Sequence, residues 1–360
     1  MFADTATATE ERANSASAPA ASDVPRDNNF DSIRAIAATA VLVSHAFPVS
    51  YGDNLHEPLY VLTRGQASLG SMAVAVFFAI SGFLISRSFL TGGRGRENYY
   101  RFIKARALRI LPALLITLLI LSLLVGPMIS DRGIYSYFTD RQILKFIFLN
   151  ASFLGFNDRL PGVFESNPFS GAVDGSLWTL RHEVRCYALV FVLGVAGMLR
   201  PRVLIGLLII GLYLMMRSDH EKWFFYECFV SGALLYVMKA PLKSEYALCC
   251  LSGLALSALF NMPNVGMAFC GAYLVIWLAV NRSVRLPKLG KYGDFSYGIY
   301  IFAFPVQQLV QQALGPQGHW WLNILLSLPV TVCLGALSWR FVERPALAMV
   351  SHKAAARRRD

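Results

Sequence analysis

The sequence predicts an all-α polytopic integral membrane protein, with about ten transmembrane helices and a short re-entrant or interfacial segment near 143–156. Composition is the first reason. Of 360 residues, 55% are hydrophobic and only 15% charged, and the mean hydropathy is +0.48, too apolar for the surface of a soluble domain. The second reason is recurrence: apolar runs fill most of the chain. The third is the placement of charge. The net charge is +11, and its cations sit in short loops between apolar runs. That pattern marks topology and contact with anionic headgroups rather than nucleic acid.

Residues 1–29 are rich in Ala, Ser, Thr, Asp and Pro. They lack a basic region followed by an apolar core, so they are no secretory signal peptide. A disordered cytoplasmic tail is expected there. One transmembrane domain then occupies 30–346, and a basic cytoplasmic tail occupies 347–360. Apolar runs lie at about 31–51, 69–90, 107–126, 143–156, 176–198, 202–216, 223–238, 246–260, 265–280, 294–314 and 321–341. A crossing needs about 20 apolar residues, and the run at 143–156 is the shortest.

Positive charge sets the orientation. The segment 87–109 carries Arg87, Arg94, Arg96, Arg101, Lys104, Arg106 and Arg109 and belongs to the cytoplasmic side, as do 281–293 and the C-terminal tail. The connections 261–264 and 315–320 lack Lys and Arg and fit the outside. Forward and backward counting agree only if 143–156 does not cross. Ten spans with both termini cytoplasmic follow. All six cysteines (186, 228, 249, 250, 270, 333) fall in apolar runs without metal-binding spacing. They are expected to be small buried hydrophobes, and no metal site is expected.

The candidate chemistry begins in the first run, DSIRAIAATAVLVSHAFPVS. Arg34 and His45 are eleven residues apart, three helical turns plus about 20°, so they share a face roughly 16 Å apart along the axis. Ionisable groups inside spans mark function by default, and a neutral imidazole tolerates burial and accepts protons. In the second run, Ser81 and Gly82 permit close helix approach. In FIKARALRILP, Arg106 and Arg109 lie on one helix face. With Arg34 and Arg87 they make a cytoplasmic-side cluster suited to hold phosphates.

The stretch GSLWTLRHEVRCYALVF places Arg181, His182, Glu183 and Arg185 in the first turns of a span, which implies a water-filled or substrate-lined cavity. Glu183 is the second candidate catalytic residue, able to orient His45 or to bind hydroxyls. Trp178, Arg181 and Tyr187 are the candidate substrate-binding residues. GDFSYGIYIFAFPVQQ and WRFVERPA bracket the last spans. There Glu343 and Arg344 are expected to form a local ion pair before a helix stop at Pro345.

The order of these stretches resembles the membrane-bound acyltransferase-3 family. The family's R-x10-H pattern matches Arg34 and His45, and FFxxSGFLI matches Phe77 to Ile85. An arginine-rich entrance ending in RIxP matches Arg106 and Arg109 to Pro112. SLWxLxxE matches Ser176 to Glu183, and SYxIY matches Ser296 to Tyr300. The resemblance runs from about 30 to 346. Two departures stand out: Ala303 occupies the position of a second family histidine, and Arg181-His182 precedes Glu183 where small or apolar residues are common.

The resemblance implies an O-acetyltransferase of the bacterial cytoplasmic membrane. Its donor would be acyl-CoA, most often acetyl-CoA, and its acceptor a hydroxyl of a cell-surface polysaccharide or lipid-linked sugar. The competing reading is a multi-pass transporter that uses intramembrane His, Glu and Arg as a proton or substrate pathway. Neither paired discontinuous helices nor an internal repeat favours it.

Overall fold

The computed structural model describes residues 25, 28–217, 220–281 and 283–356. The expectations for most of the N-terminal tail and for the last four residues fall outside that range. The described residues are helical, with one isolated antiparallel bridge between Arg159 and Ala172. Five helices are long and apolar enough to cross a membrane: Phe30–Tyr51, Leu69–Gly92, Arg96–Ile129, Pro263–Val280 and Trp320–Val350.

Local chemistry sets the helix ends. α1 (Phe30–Tyr51) closes at Gly52, whose positive φ of 90° lets its N–H reach Pro48 O. α2 (Leu69–Gly92) opens on a reciprocal capping box between Ser68 and Ser71. α3 (Arg96–Ile120) continues through a π-helical turn at Leu121–Val125 to Ile129, so the predicted run at 107–126 is only its apolar part.

α4 (Arg141–Ser152) is capped by the Asp140 carboxylate and ends at Phe153, with φ 58°. Its twelve residues span about 18 Å, well short of a hydrocarbon core about 30 Å thick. It runs opposite to α3. The Tyr137 hydroxyl just before it donates to Ser122 O at 2.9 Å, whereas Phe153 at its far end lines one groove with Ile103 and Ala107. The chain then returns through irregular segment 154–177, whose Leu160, Val163, Phe164 and Val173 are buried.

α5 (Trp178–Val195), α6 (Pro201–Arg217), α7 (His220–Val237), α8 (Ser244–Leu259), α9 (Pro263–Val280), α10 (Ser296–Leu314) and α11 (Trp320–Ser338) complete the bundle. α2 and α7 pack backbone to backbone. A Cβ on Gly82 would lie 1.9 Å from Phe229 O, and one on Gly232 would lie 2.1 Å from Ala79 O. The small-residue reading of Gly82 therefore holds. Gly82→Leu forces the two helices apart, since backbone carbonyls cannot rotate away as a side chain does. We expect a loss of at least about 1–3 kcal/mol. The check is a lowered thermal midpoint of the detergent-solubilised protein, with loss of a monodisperse peak.

Two sequence expectations are corrected. Cys186 and Cys228 are buried, but Cys250 and Cys270 are half-buried and Cys249 and Cys333 exposed. An apolar outer surface accommodates a thiol as readily as a core does. At the C-terminus the helix does not stop at Pro345. A π-helical turn at Trp339–Glu343 carries α11 into a further helical segment, Arg344–Ala356. Pro345 lies just after that π-helical turn, inside the continuous helix Trp320–Val350.

Candidate active site

Four helices bring the candidate residues to one cavity with about 540 Å³ of atom-free space. Arg34 reaches it from α1, Ser81 from α2, Arg109 from α3, and Glu183 and Tyr187 from α5; Tyr297 and Tyr300 of α10 close a fifth side. Of the arginine cluster expected from sequence, Arg34 and Arg109 line this cavity, and the structure sets Glu183 and Tyr187 beside them.

Asp294 organises the arginine end. Its Oδ2 accepts from Arg34 Nη1 at 2.7 Å and from Arg109 Nη2 at 2.5 Å. Its Oδ1 accepts from the Ser296 amide at 3.3 Å and from the Ser296 hydroxyl. Arg109 also meets Glu343 Oε2 at 3.5 Å, and Glu343 accepts from Ser338 Oγ at 3.0 Å. The expected local pair of Glu343 with Arg344 is thus replaced by a long-range one, because the π-helical turn aims Glu343 at α3. The Arg109 guanidinium lies over the rings of Tyr297 and Trp339, 5.9 and 6.0 Å from their centres. Two arginines and two carboxylates compensate one another in a largely buried network.

Further along the cavity, Glu183 accepts from the Tyr187 hydroxyl and from Ser81 Oγ at 3.4 Å. No ion pair to Glu183 occurs among the described residues. Ser81, read from sequence chiefly as a packing residue, also lines the cavity.

The other candidates lie elsewhere. Arg106 faces a neighbouring apolar groove that shares Tyr187 and Ile110 with the cavity. Its Nη2 donates to Ser88 Oγ at 3.2 Å, its guanidinium lies over Phe102, and its Nε has no partner. Arg87 is half-buried on α2 and does not line the cavity. Trp178 and Arg181 join a separate cluster: Arg181 Nε donates to His182 Nε2 at 3.3 Å, Trp178 meets His182 edge-on, and His182 Nδ1 pairs with the Tyr226 hydroxyl at 2.6 Å.

His45 is not hydrogen-bonded to Glu183 and does not line the cavity. It lies further along α1, where its ring meets Phe304 edge-on at 5.4 Å. Phe304 is one helical turn beyond Tyr300, a cavity residue. The His45 Nδ1 is shielded from solvent and has no hydrogen-bond partner among the described residues. A polar nitrogen left unpaired in this way is costly unless a substrate group completes it.

Sequence reasoning missed Asp294, Tyr297 and Tyr300 as site residues, although all three lie in the GDFSYGIY stretch. Their signal was an acid and two phenols at the mouth of an otherwise apolar run.

Beyond Tyr300, a small network fixes the start of α5. Thr179 Oγ1 and the Tyr300 hydroxyl are 2.5 Å apart, and Tyr300 also donates to Ser176 O at 3.0 Å. In the connecting segment, buried Asp174 accepts from the Ser176 amide at 3.0 Å and from its hydroxyl at 2.5 Å.

Comparison with known proteins adds the following. Residues 27–340 match the acyltransferase-3 family, described as an acyltransferase domain. The O-acetyl transferase of Shigella phage Sf6 is 29% identical over 348 residues, covering 91% of this chain and 98% of that protein. Nodulation protein 10 of Rhizobium leguminosarum bv. viciae is 28% identical over 360 residues, covering 89% of this chain and 94% of that protein. No solved structure matches.

Proposed function

Because the chain belongs to the acyltransferase-3 family, and is thereby a membrane acyltransferase, we propose that it moves an acetyl group from cytoplasmic acyl-CoA to a carbohydrate hydroxyl. The acceptor is a cell-surface polysaccharide or its lipid-linked precursor. The name of the Shigella phage relative supports O-acetyl transfer. The observation that carries the reading is the path along α1. Arg34 lines a cavity with Arg109 and Glu183, and His45, on the same face further along, holds out an unpaired nitrogen.

The Arg34–Arg109 end of the path faces the cytoplasm under a ten-span topology with both termini inside. That topology rests on the arginine-rich segment 87–109 and on α4, too short to cross, as a re-entrant segment between α3 and α5. The location is the bacterial inner membrane. Irregular backbone after α4 is acceptable at membrane depth because it is buried in protein.

In the reaction, the acceptor hydroxyl attacks the thioester carbonyl while His45 takes its proton. The C–S bond breaks, and the CoA thiolate leaves and is protonated by the imidazolium, which returns His45 to its starting state. Glu183 and Tyr187 offer a carboxylate and a phenol to hydroxyl groups along the path, and Arg34 and Arg109 anchor the anionic donor. Mass spectrometry of surface glycan tests this reading. A strain lacking the chain should lose one acyl mass that the wild-type gene restores. An unchanged glycan with altered solute uptake would instead favour the transporter.

A further inference from the structure

Arg181 and Arg185 stand one helical turn apart on α5, and Arg185 is exposed. No ion pair to either occurs among the described residues. We propose that the pair binds the diphosphate of a polyprenyl-linked sugar acceptor, whose hydrocarbon tail lies in the apolar groove between α3 and α5. This rests on the reading of the chain as a carbohydrate acyltransferase with ten spans.

Depth in the membrane calls for an anion. Gly197, just past α5, lies against the arginine-rich segment 87–109: a Cβ added there would be 3.4 Å from Arg94 Nη2. That end of α5 is the cytoplasmic one. Measured from Val195, Arg185 and Arg181 lie about 15 and 21 Å along the helix, within a hydrocarbon core about 30 Å thick. Helical side chains lean toward the N-terminus, which here is the outer end, so both guanidiniums belong to the outer half. A cation held there is expensive until a negative group meets it. Neighbouring side chains orient the pair without supplying one. Arg181 Nε donates to His182 Nε2 at 3.3 Å, and the Tyr226 hydroxyl, which pairs with His182 Nδ1, lies beside Arg185.

The arginines also border a place for a tail. The groove has about 720 Å³ of atom-free space and is lined by Ile103 and Leu111 of α3 and by Val184, Ala188 and Phe191 of α5. The cation in its lining, Arg106, turns to Ser88 and Phe102. At 100° per residue around α5, counted from Glu183, Tyr187 stands at about 40°, Val184 at about 100° and Ala188 at about 140°. Arg181 follows at about 160° and Arg185 at about 200°. Cavity, groove and arginine pair are thus consecutive sectors of one helix, with the arginines toward the outer end. Groove and cavity share Tyr187 and Ile110, so these side chains part the tail from the space where an acceptor hydroxyl reacts. Two guanidiniums without a carboxylate match a diphosphate better than the single charge of a phospholipid headgroup.

The full-length protein is placed in nanodiscs of phosphatidylcholine, and binding of farnesyl diphosphate is measured by calorimetry. Wild type should bind. Arg181→Gln combined with Arg185→Gln should weaken binding about tenfold or more, and Arg181→Lys with Arg185→Lys should lose less. Ala188→Trp, which fills the groove, should weaken binding with both arginines in place. Unchanged thermal midpoints show that each variant is folded.

No binding by wild type, or equal binding by the double Gln variant, overturns the proposal. So does loss of wild-type binding when phosphatidylglycerol is added to the discs, which would make a phospholipid the occupant. The assay needs neither donor nor turnover, so its failure is distinct from failure of the acyltransferase reading, which the glycan measurement tests.

Discussion

His45→Ala should lower acyl transfer by roughly 10²–10⁴-fold, the usual contribution of a positioned general base. It should do so without unfolding the protein. The imidazole Nδ1 has no hydrogen-bond partner among the described residues, so truncation breaks no hydrogen bond there and gives up the edge-on contact with Phe304. The measurement is label transferred from acetyl-CoA to surface glycan in membranes, beside the thermal midpoint of the purified protein. A variant with wild-type transfer would end the catalytic role of His45. A variant equally impaired but unfolded would show a structural role instead. His45→Gln, closer in volume, provides a control for the space left by truncation.

The second large effect is one of stability. Asp294→Ala should destabilise the protein by about 3–5 kcal/mol, because it leaves two guanidiniums facing each other without their shared carboxylate. Arg34 and Arg109 converge on one Asp294 oxygen, and the side chains of Asp294 and Arg109 are only 13% and 14% exposed. Asp294→Asn should be milder, since it keeps an acceptor for Ser296, yet it too should loosen Arg34. The check is a denaturation series in detergent, with Arg34→Met/Asp294→Ala as the paired variant. If the pair carries the effect, the double variant should be more stable than Asp294→Ala alone. Additive losses would show that the three groups act independently.

Much of the bundle was legible because an apolar run leaves little choice in a membrane: its backbone must be helical. The run at 143–156 corresponds to the short helix α4, and Gly82 announced the contact with α7. The site was legible only in part. Arg34, Arg109 and the Glu183–Tyr187 pair lie on three different helices, and the spacing between those helices along the chain says nothing of distance in space.

Where the reading went astray, the cause is identifiable. Glu343 has Arg344 beside it in sequence, which suggested a local pair; the π-helical turn that sends it to Arg109 leaves no simple mark in the residues. Trp178 and Arg181 share a helix with Glu183, but at 100° per residue they point around α5 toward His182 and Phe225. Asp294 stood at the edge of a run, where an acid reads as a solvated loop residue until two arginines are found beside it.

The central claim is that a donor on the cytoplasmic side reacts through the Arg34–Glu183 cavity and His45 with an acceptor beyond it. Sealed membrane vesicles of opposite orientation test this most directly, with labelled acetyl-CoA, which does not cross a bilayer, supplied outside the vesicle. Inside-out vesicles, with the cytoplasmic face exposed, should incorporate label into glycan in wild type and not in His45→Ala. Right-side-out vesicles should incorporate none. Incorporation by right-side-out vesicles, or equal incorporation by the variant, would contradict it.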